Sequence, residues 1–116
     1  MSITIYHNPR CSKSRETLAL LESQHIQPTI ELYLQQKYDV ETLQSIADKL
    51  GITDIRQMMR TKDELYKTLG LDNPSLTAQD LLNAIAQHPE LLERPIVVNG
   101  NKAKIGRPPE SVLAIL

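Results

Sequence analysis

Two short strand patterns with a helix pattern between them open this 116-residue chain, and they leave it few ways to fold. Residues 2–6, Ser2-Ile3-Thr4-Ile5-Tyr6, alternate polar and apolar side chains as a half-buried strand does. His7-Asn8-Pro9-Arg10 is a turn, and Ser12 to Leu18 opens a helix in which Leu18, Leu20 and Leu21 mark a buried face. The helix ends near Gln24-His25, ahead of Pro28, and residues 29–34 read as a second strand. Strands joined through a helix run parallel, because parallel neighbours need a crossover connection.

The middle of the chain is helical. Asp39 is placed to cap a helix carrying Leu43, Ile46, Ala47 and Leu50, with Gly51 as its stop. Asp54 starts a short helix through Met58 and Met59, and residues 62–69 form another, stopped by Gly70. Thr77 with Asp80 has the spacing of a capping box before Leu81, Leu82, Ile85 and Ala86, and a short turn covers residues 90–93. Pro95-Ile96-Val97-Val98 is an apolar strand, Asn99-Gly100-Asn101 a tight turn, and residues 102–106 the returning strand. Pro108-Pro109-Glu110 begins a last helix with Val112, Leu113 and Leu116 on one side.

The order is therefore βαβ, helices, ββα. It matches an α/β class, a thioredoxin-like mixed four-stranded sheet with a helical insertion at about 39–90 between the βαβ and ββα halves. One domain, residues 1–116, is expected. In that layout Pro95 faces the start of the first helix, and the Arg94–Pro95 bond is expected to be cis.

Net charge is −1, which provides no overall field for nucleic acid or an anionic membrane. No apolar run is long enough to span a bilayer, and without a basic start and an apolar stretch ahead of the first strand no signal peptide is expected. Without Trp or Phe, the core falls to Leu, Ile, Val and Tyr. A single cysteine cannot form an internal disulfide, so a reducing, cytoplasmic setting is expected. The three histidines and one cysteine lack metal-ligand spacing, so no metal and no bound cofactor are expected. Nothing in the pattern calls for more than a monomer.

That cysteine, Cys11, sits at the start of the first helix, where free N–H groups and the positive helix end lower a thiol pKa and attract anions. Arg10, Lys13 and Arg15 act in the same direction. Ser14 occupies the second position of what would be a Cys-x-x-Cys pair, so any disulfide exchange must use a thiol from another molecule. His7 is a candidate neighbour for the thiol, Asn8 for holding the loop, and Ser14 for capping the helix or donating to the thiolate or an oxyanion. An ordinary strand-end histidine and ordinary turn residues are the plainer readings of His7 and Asn8. Arg60, Arg94 and Arg107 each stand at an element boundary. In the thioredoxin-like layout Arg94 and Arg107 come near Cys11, where guanidinium forks bind a tetrahedral oxyanion.

These residues carry a family resemblance. His7-Asn8-Pro9-Arg10-Cys11-Ser12-Lys13-Ser14-Arg15-Glu16-Thr17-Leu18 resembles the His-Asn-Pro-x-Cys-x-x-Ser-Arg-x-Thr-Leu signature of glutaredoxin-coupled arsenate reductases. Arg94-Pro95-Ile96-Val97-Val98 and Ile105-Gly106-Arg107-Pro108 look like two later motifs of that family. The resemblance covers essentially the whole chain. It implies an oxidoreductase in which Cys11 attacks arsenate, Arg60, Arg94 and Arg107 hold the oxyanion, and His7 and Ser14 tune the thiol. It implies glutathione as co-substrate and glutaredoxin as partner. The loop differs from the best-known members, which have Ala-Cys-Gly-Thr where this chain has Arg10-Cys11-Ser12-Lys13. Two alternatives stand beside it: another monothiol oxidoreductase using the same site, and a regulator similar to Spx proteins that binds RNA polymerase. Ser14 in place of a second cysteine counts against the dithiol switch of the latter.

Overall fold

The computed structural model describes residues 2–116, and their contacts divide the chain into two compact units, Gln36–Glu93 and the remainder. The insertion expected at about 39–90 falls within the first of these.

In the remainder, strands β1 (Ile3–Tyr6), β2 (Thr29–Glu31), β3 (Ile96–Asn99) and β4 (Lys102–Ile105) form one sheet in the order β2-β1-β3-β4. β1 and β2 are parallel, joined through helix α1 (Ser12–Ser23), while β1–β3 and β3–β4 are antiparallel. This is the mixed four-stranded sheet read from the sequence. The core brings together Ile5 of β1, Leu21 of α1, Val97 of β3, and Val112 and Ile115 near the C-terminus. The Arg94–Pro95 bond is cis, as is Arg107–Pro108, which the sequence reading did not single out.

Three expectations need correction here. The second strand stops at Glu31, not at residue 34. Glu31 pairs with Tyr6, the last residue of β1, so no ladder partner remains beyond it. The chain then turns through a 3-10 helix, Tyr33–Gln35, which buries Tyr33 and leaves Leu34 exposed. The last helix is a 3-10 helix, Pro109–Ile115, with Pro109, Val112 and Ile115 buried. Three residues per turn align every third side chain, so Leu113 and Leu116, expected inward, face solvent. On α1 the fully covered side chains are Ser14, Thr17 and Leu21, while Leu18 and Leu20 are only partly buried. In the N-terminal half of this helix the covered face is thus made by the small polar side chains of Ser14 and Thr17.

Within Gln36–Glu93, α2 (Val40–Leu50) is capped by Asp39, whose side chain accepts from the Thr42 N–H at 2.7 Å. It ends at Gly51, whose φ of 70° is the left-handed conformation that glycine adopts without a Cβ clash. α3 is shorter than expected, Glu64–Thr68, because Asp63 takes the capping position. α4 (Ala78–Gln87) begins with the Thr77–Asp80 capping box. α2 and α4 pack together, burying Leu43, Ile46 and Ala47 on one and Leu81, Leu82 and Ile85 on the other. An isolated bridge joins Met59 to Leu92. Among the described residues no helix is long and apolar enough to cross a membrane.

Candidate active site

The loop between β1 and α1 is built by hydrogen bonds within itself. The Asn8 side-chain oxygen accepts from the Arg10 N–H, and its carbonyl accepts from the Cys11 N–H, both at 3.0 Å. Arg15 reaches back from α1 and donates from Nη1 to the Pro9 carbonyl at 3.0 Å. Beneath the loop, the buried Ser14 hydroxyl accepts from the Asn8 N–H at 3.0 Å and lies 2.6 Å from His7 Nδ1. The His7 main-chain N–H donates to the Glu31 carbonyl at 2.9 Å, anchoring the loop to the sheet. Asparagine suits this work because it accepts locally while leaving its backbone free to turn.

Cys11 is the residue that caps α1, in extended conformation, and its carbonyl accepts the first helical hydrogen bond, from Arg15, at 3.0 Å. Its thiol is partly exposed. Burial raises the pKa of this thiol, but the opposing effects win and it lies below the ordinary value of 9.0. The main-chain N–H of Ser14 is the strongest of these, followed by the positive charge of Arg94, the N–H of Lys13 and the charge of Arg107. The sequence reading offered the Ser14 side chain as a cap for the helix or a donor to the thiolate or an oxyanion. Its hydroxyl instead bonds with His7 and Asn8, and it is the Ser14 backbone that faces the sulfur. His7 has its pKa lowered by burial and then by the Arg15 charge, both of which disfavour the protonated imidazole.

The fold brings Arg94 and Arg107 to this thiol. Arg107 Nη1 lies 3.9 Å from Cys11 Sγ and donates to the Arg94 carbonyl at 3.3 Å. Arg94 precedes the cis Pro95 at the start of β3, and its charge acts on the same sulfur. Arg60 belongs to Gln36–Glu93. There its N–H donates to the Leu91 carbonyl at 2.8 Å, and its guanidinium pairs with Asp63 at 3.4 Å. Among the described residues no group of three or more His, Cys, Asp or Glu is placed to hold a metal ion.

Sequence reasoning missed the contact of Thr17 with Gly106. Thr17 is fully buried and its hydroxyl lies 3.5 Å from the Gly106 carbonyl. The available signal was a glycine at a strand end, which marks close backbone approach. Taken together, the site offers an acidified thiol beside helix N–H donors and two cations. It is fitted to a nucleophilic thiolate meeting an oxyanion.

Comparison with known proteins shows the family. The ArsC family model matches residues 6–115. A Haemophilus influenzae protein named arsenate reductase is 71% identical over 116 residues, 100% of both chains. An arsenate reductase from Escherichia coli is 41% identical over 99% of this chain and 81% of its own. The solved structure of an arsenate reductase from Vibrio cholerae superposes with a TM-score of 0.98 at 54% identity. The match covers 100% of this chain and 98% of that one.

Proposed function

We propose, because this chain belongs to the ArsC family, that it reduces arsenate to arsenite through an arsenic–sulfur adduct on Cys11. The observation that carries this reading is the Cys11 sulfur at the N-terminus of α1, lowered in pKa and 3.9 Å from the Arg107 guanidinium. The names of its relatives supply the substrate class.

The chemistry follows from the parts. The Cys11 thiolate attacks arsenic, a sulfur–arsenic bond forms, and one arsenate oxygen departs as water after protonation. Both partners are anionic, so the cost of approach is Coulombic, and fixed cations and N–H dipoles offset it without having to reorganise. In this reading Arg94 and Arg107 take the oxyanion at the thiol, and Arg60 is the third arginine. His7, Asn8 and Ser14 hold the loop that presents the helix N–H groups to the sulfur.

Reduction needs two electrons, and a lone cysteine supplies one sulfur. Glutathione is the second thiol in this reading. Its sulfur joins Cys11 as a mixed disulfide, arsenic takes the electron pair of the broken sulfur–arsenic bond, and arsenite leaves. A further glutathione, through glutaredoxin, then restores the Cys11 thiol and carries away oxidised glutathione. This chemistry fits the cytoplasm, where glutathione is reduced.

The experiment is arsenate-dependent oxidation of NADPH coupled through glutathione, glutaredoxin and glutathione reductase. Turnover that disappears in Cys11→Ser is the expected result. Folded protein without arsenate turnover, yet with a reactive Cys11, would move the assignment to another oxyanion or another thiol exchange.

A further inference from the structure

Gly106 precedes Arg107, and nothing in its backbone requires a glycine. The glycines with positive φ are Gly51, Gly70 and Gly100, and Gly106 is not among them. What requires glycine is space. A Cβ at this position would lie 2.5 Å from Thr17 Oγ1, 2.9 Å from Pro95 Cγ and 3.1 Å from Thr17 Cγ2. All three residues are buried, Thr17 completely.

Each partner connects to a different part of the thiol site. Thr17 lies on α1, the helix that Cys11 caps. The Gly106 N–H donates to the Pro95 carbonyl at 2.9 Å, and the adjoining Arg107 donates to the Arg94 carbonyl at 3.3 Å. The end of β4 is thereby tied to the start of β3, and Thr17 is the side chain of α1 that meets this tie. The Thr17 hydroxyl donates to the Lys13 carbonyl at 2.8 Å, one turn back. At 3.5 Å from the Gly106 carbonyl it contributes little as a second hydrogen bond. Against Gly106 it therefore acts by its size.

We infer that the Thr17–Gly106 contact is a spacer that sets the Arg107 guanidinium at contact distance from Cys11, making Thr17 and Gly106 positioning residues for the thiolate. Arg107 is one Cα step, about 3.8 Å, from Gly106, so displacement at one is passed to the other. Adding a methyl group at Gly106 forces the contact open by roughly 0.9 Å to reach ordinary van der Waals distance. The N–S separation is already 3.9 Å, and a further shift of that size removes the contact. The inference rests on Cys11 as the reactive thiol of the proposed function but not on arsenate as its substrate.

The test is the pH dependence of Cys11 alkylation by iodoacetamide in the full chain. Gly106→Ala is expected to raise the midpoint and slow alkylation below it about threefold, through loss of the nearby cation. Thr17→Ala loosens the same contact from the other side and should shift the midpoint in the same direction by less. The pair Thr17→Ala/Gly106→Ala removes the two Thr17 atoms that the new methyl group would meet and should return most of the rate, with the Pro95 ring yielding by a few tenths of an ångström. In an Arg107→Gln background neither single change should alter the midpoint further, because the residue through which both act is gone. A purely structural role would slow alkylation equally in both backgrounds, and that result overturns the inference. So does a folded Gly106→Ala with an unchanged midpoint, or a double variant that recovers nothing. Should Gly106→Ala fail to fold, Thr17→Ala in the two backgrounds decides in the same way. The shifts present in a protein whose unaltered form does not turn over arsenate would overturn the proposed function and leave this inference standing.

Discussion

Replacing Ser14 by Ala should destabilise the fold far more than the loss of one surface hydroxyl would. Ser14 is fully buried, and its oxygen serves two groups at once, the Asn8 N–H at 3.0 Å and His7 Nδ1 at 2.6 Å. Alanine strands both. A buried polar group left without a partner costs about 1–3 kcal/mol. His7 is 6% exposed and bears nearly the whole of that cost, whereas Asn8 is partly buried and water recovers some of its share. The expected loss is about 3 kcal/mol, a large part of the 5–15 kcal/mol that holds a domain of this size together. At roughly 4 °C per kcal/mol the midpoint of melting should fall by about 12 °C. Urea unfolding is the assay, with the slope unchanged and the midpoint lowered. A loss below about 0.5 kcal/mol would refute the reasoning, because it would mean that neither His7 nor Asn8 depends on this hydroxyl.

Other expectations follow from the same geometry. Arg107→Gln removes a unit charge 3.9 Å from the sulfur, worth about 1 kcal/mol at the water-like dielectric of an exposed guanidinium, so the thiolate population below the midpoint should drop about fivefold in an alkylation titration. The Cys11 pKa is lower in the folded state than its ordinary 9.0, so the unfolded chain binds more protons between the two values. Stability should therefore rise with pH in that window, be fully present above 9.0 and be lost as pH falls through the folded value; denaturation of Cys11→Ser should lack this rise. For His7, also lowered in the fold, the contribution is complete above 6.5 and declines as pH falls below it, and His7→Gln should flatten that decline in urea titrations between neutrality and mild acid. Thr77→Ala breaks the capping box of α4 and should cost about 1 kcal/mol by chemical denaturation, with Cys11 alkylation unaffected.

Much of this molecule was legible because local rules and long-range packing coincide. Asp39, Thr77 and Gly51 act where their chemistry predicts, at helix ends whose geometry depends on a few adjacent residues. The parallel pairing of β1 with β2 followed from the helix between them. Cys11 was legible for the same reason, since strand, turn and helix start are all local signals. What the sequence hid depends on partners distant along the chain. The early end of β2 depends on where β1 stops, and the 3-10 form of Pro109–Ile115 on which side chains the core of Ile5, Leu21 and Val97 accepts. The hydroxyl of Ser14 looked available to the thiol until the fold placed His7 and the Asn8 N–H against it. The meeting of Thr17 with Gly106 spans 89 positions and leaves no periodic trace.

The most direct measurement is a single turnover in which the reduced protein receives arsenate and glutathione in equal amounts, followed by intact-mass analysis and arsenite determination. The account predicts a glutathione mixed disulfide on Cys11, formed only when arsenate is present, with arsenite released in step with it and neither product from Cys11→Ser. Arsenite produced equally by the Ser variant, or turnover without a disulfide at Cys11, would contradict it.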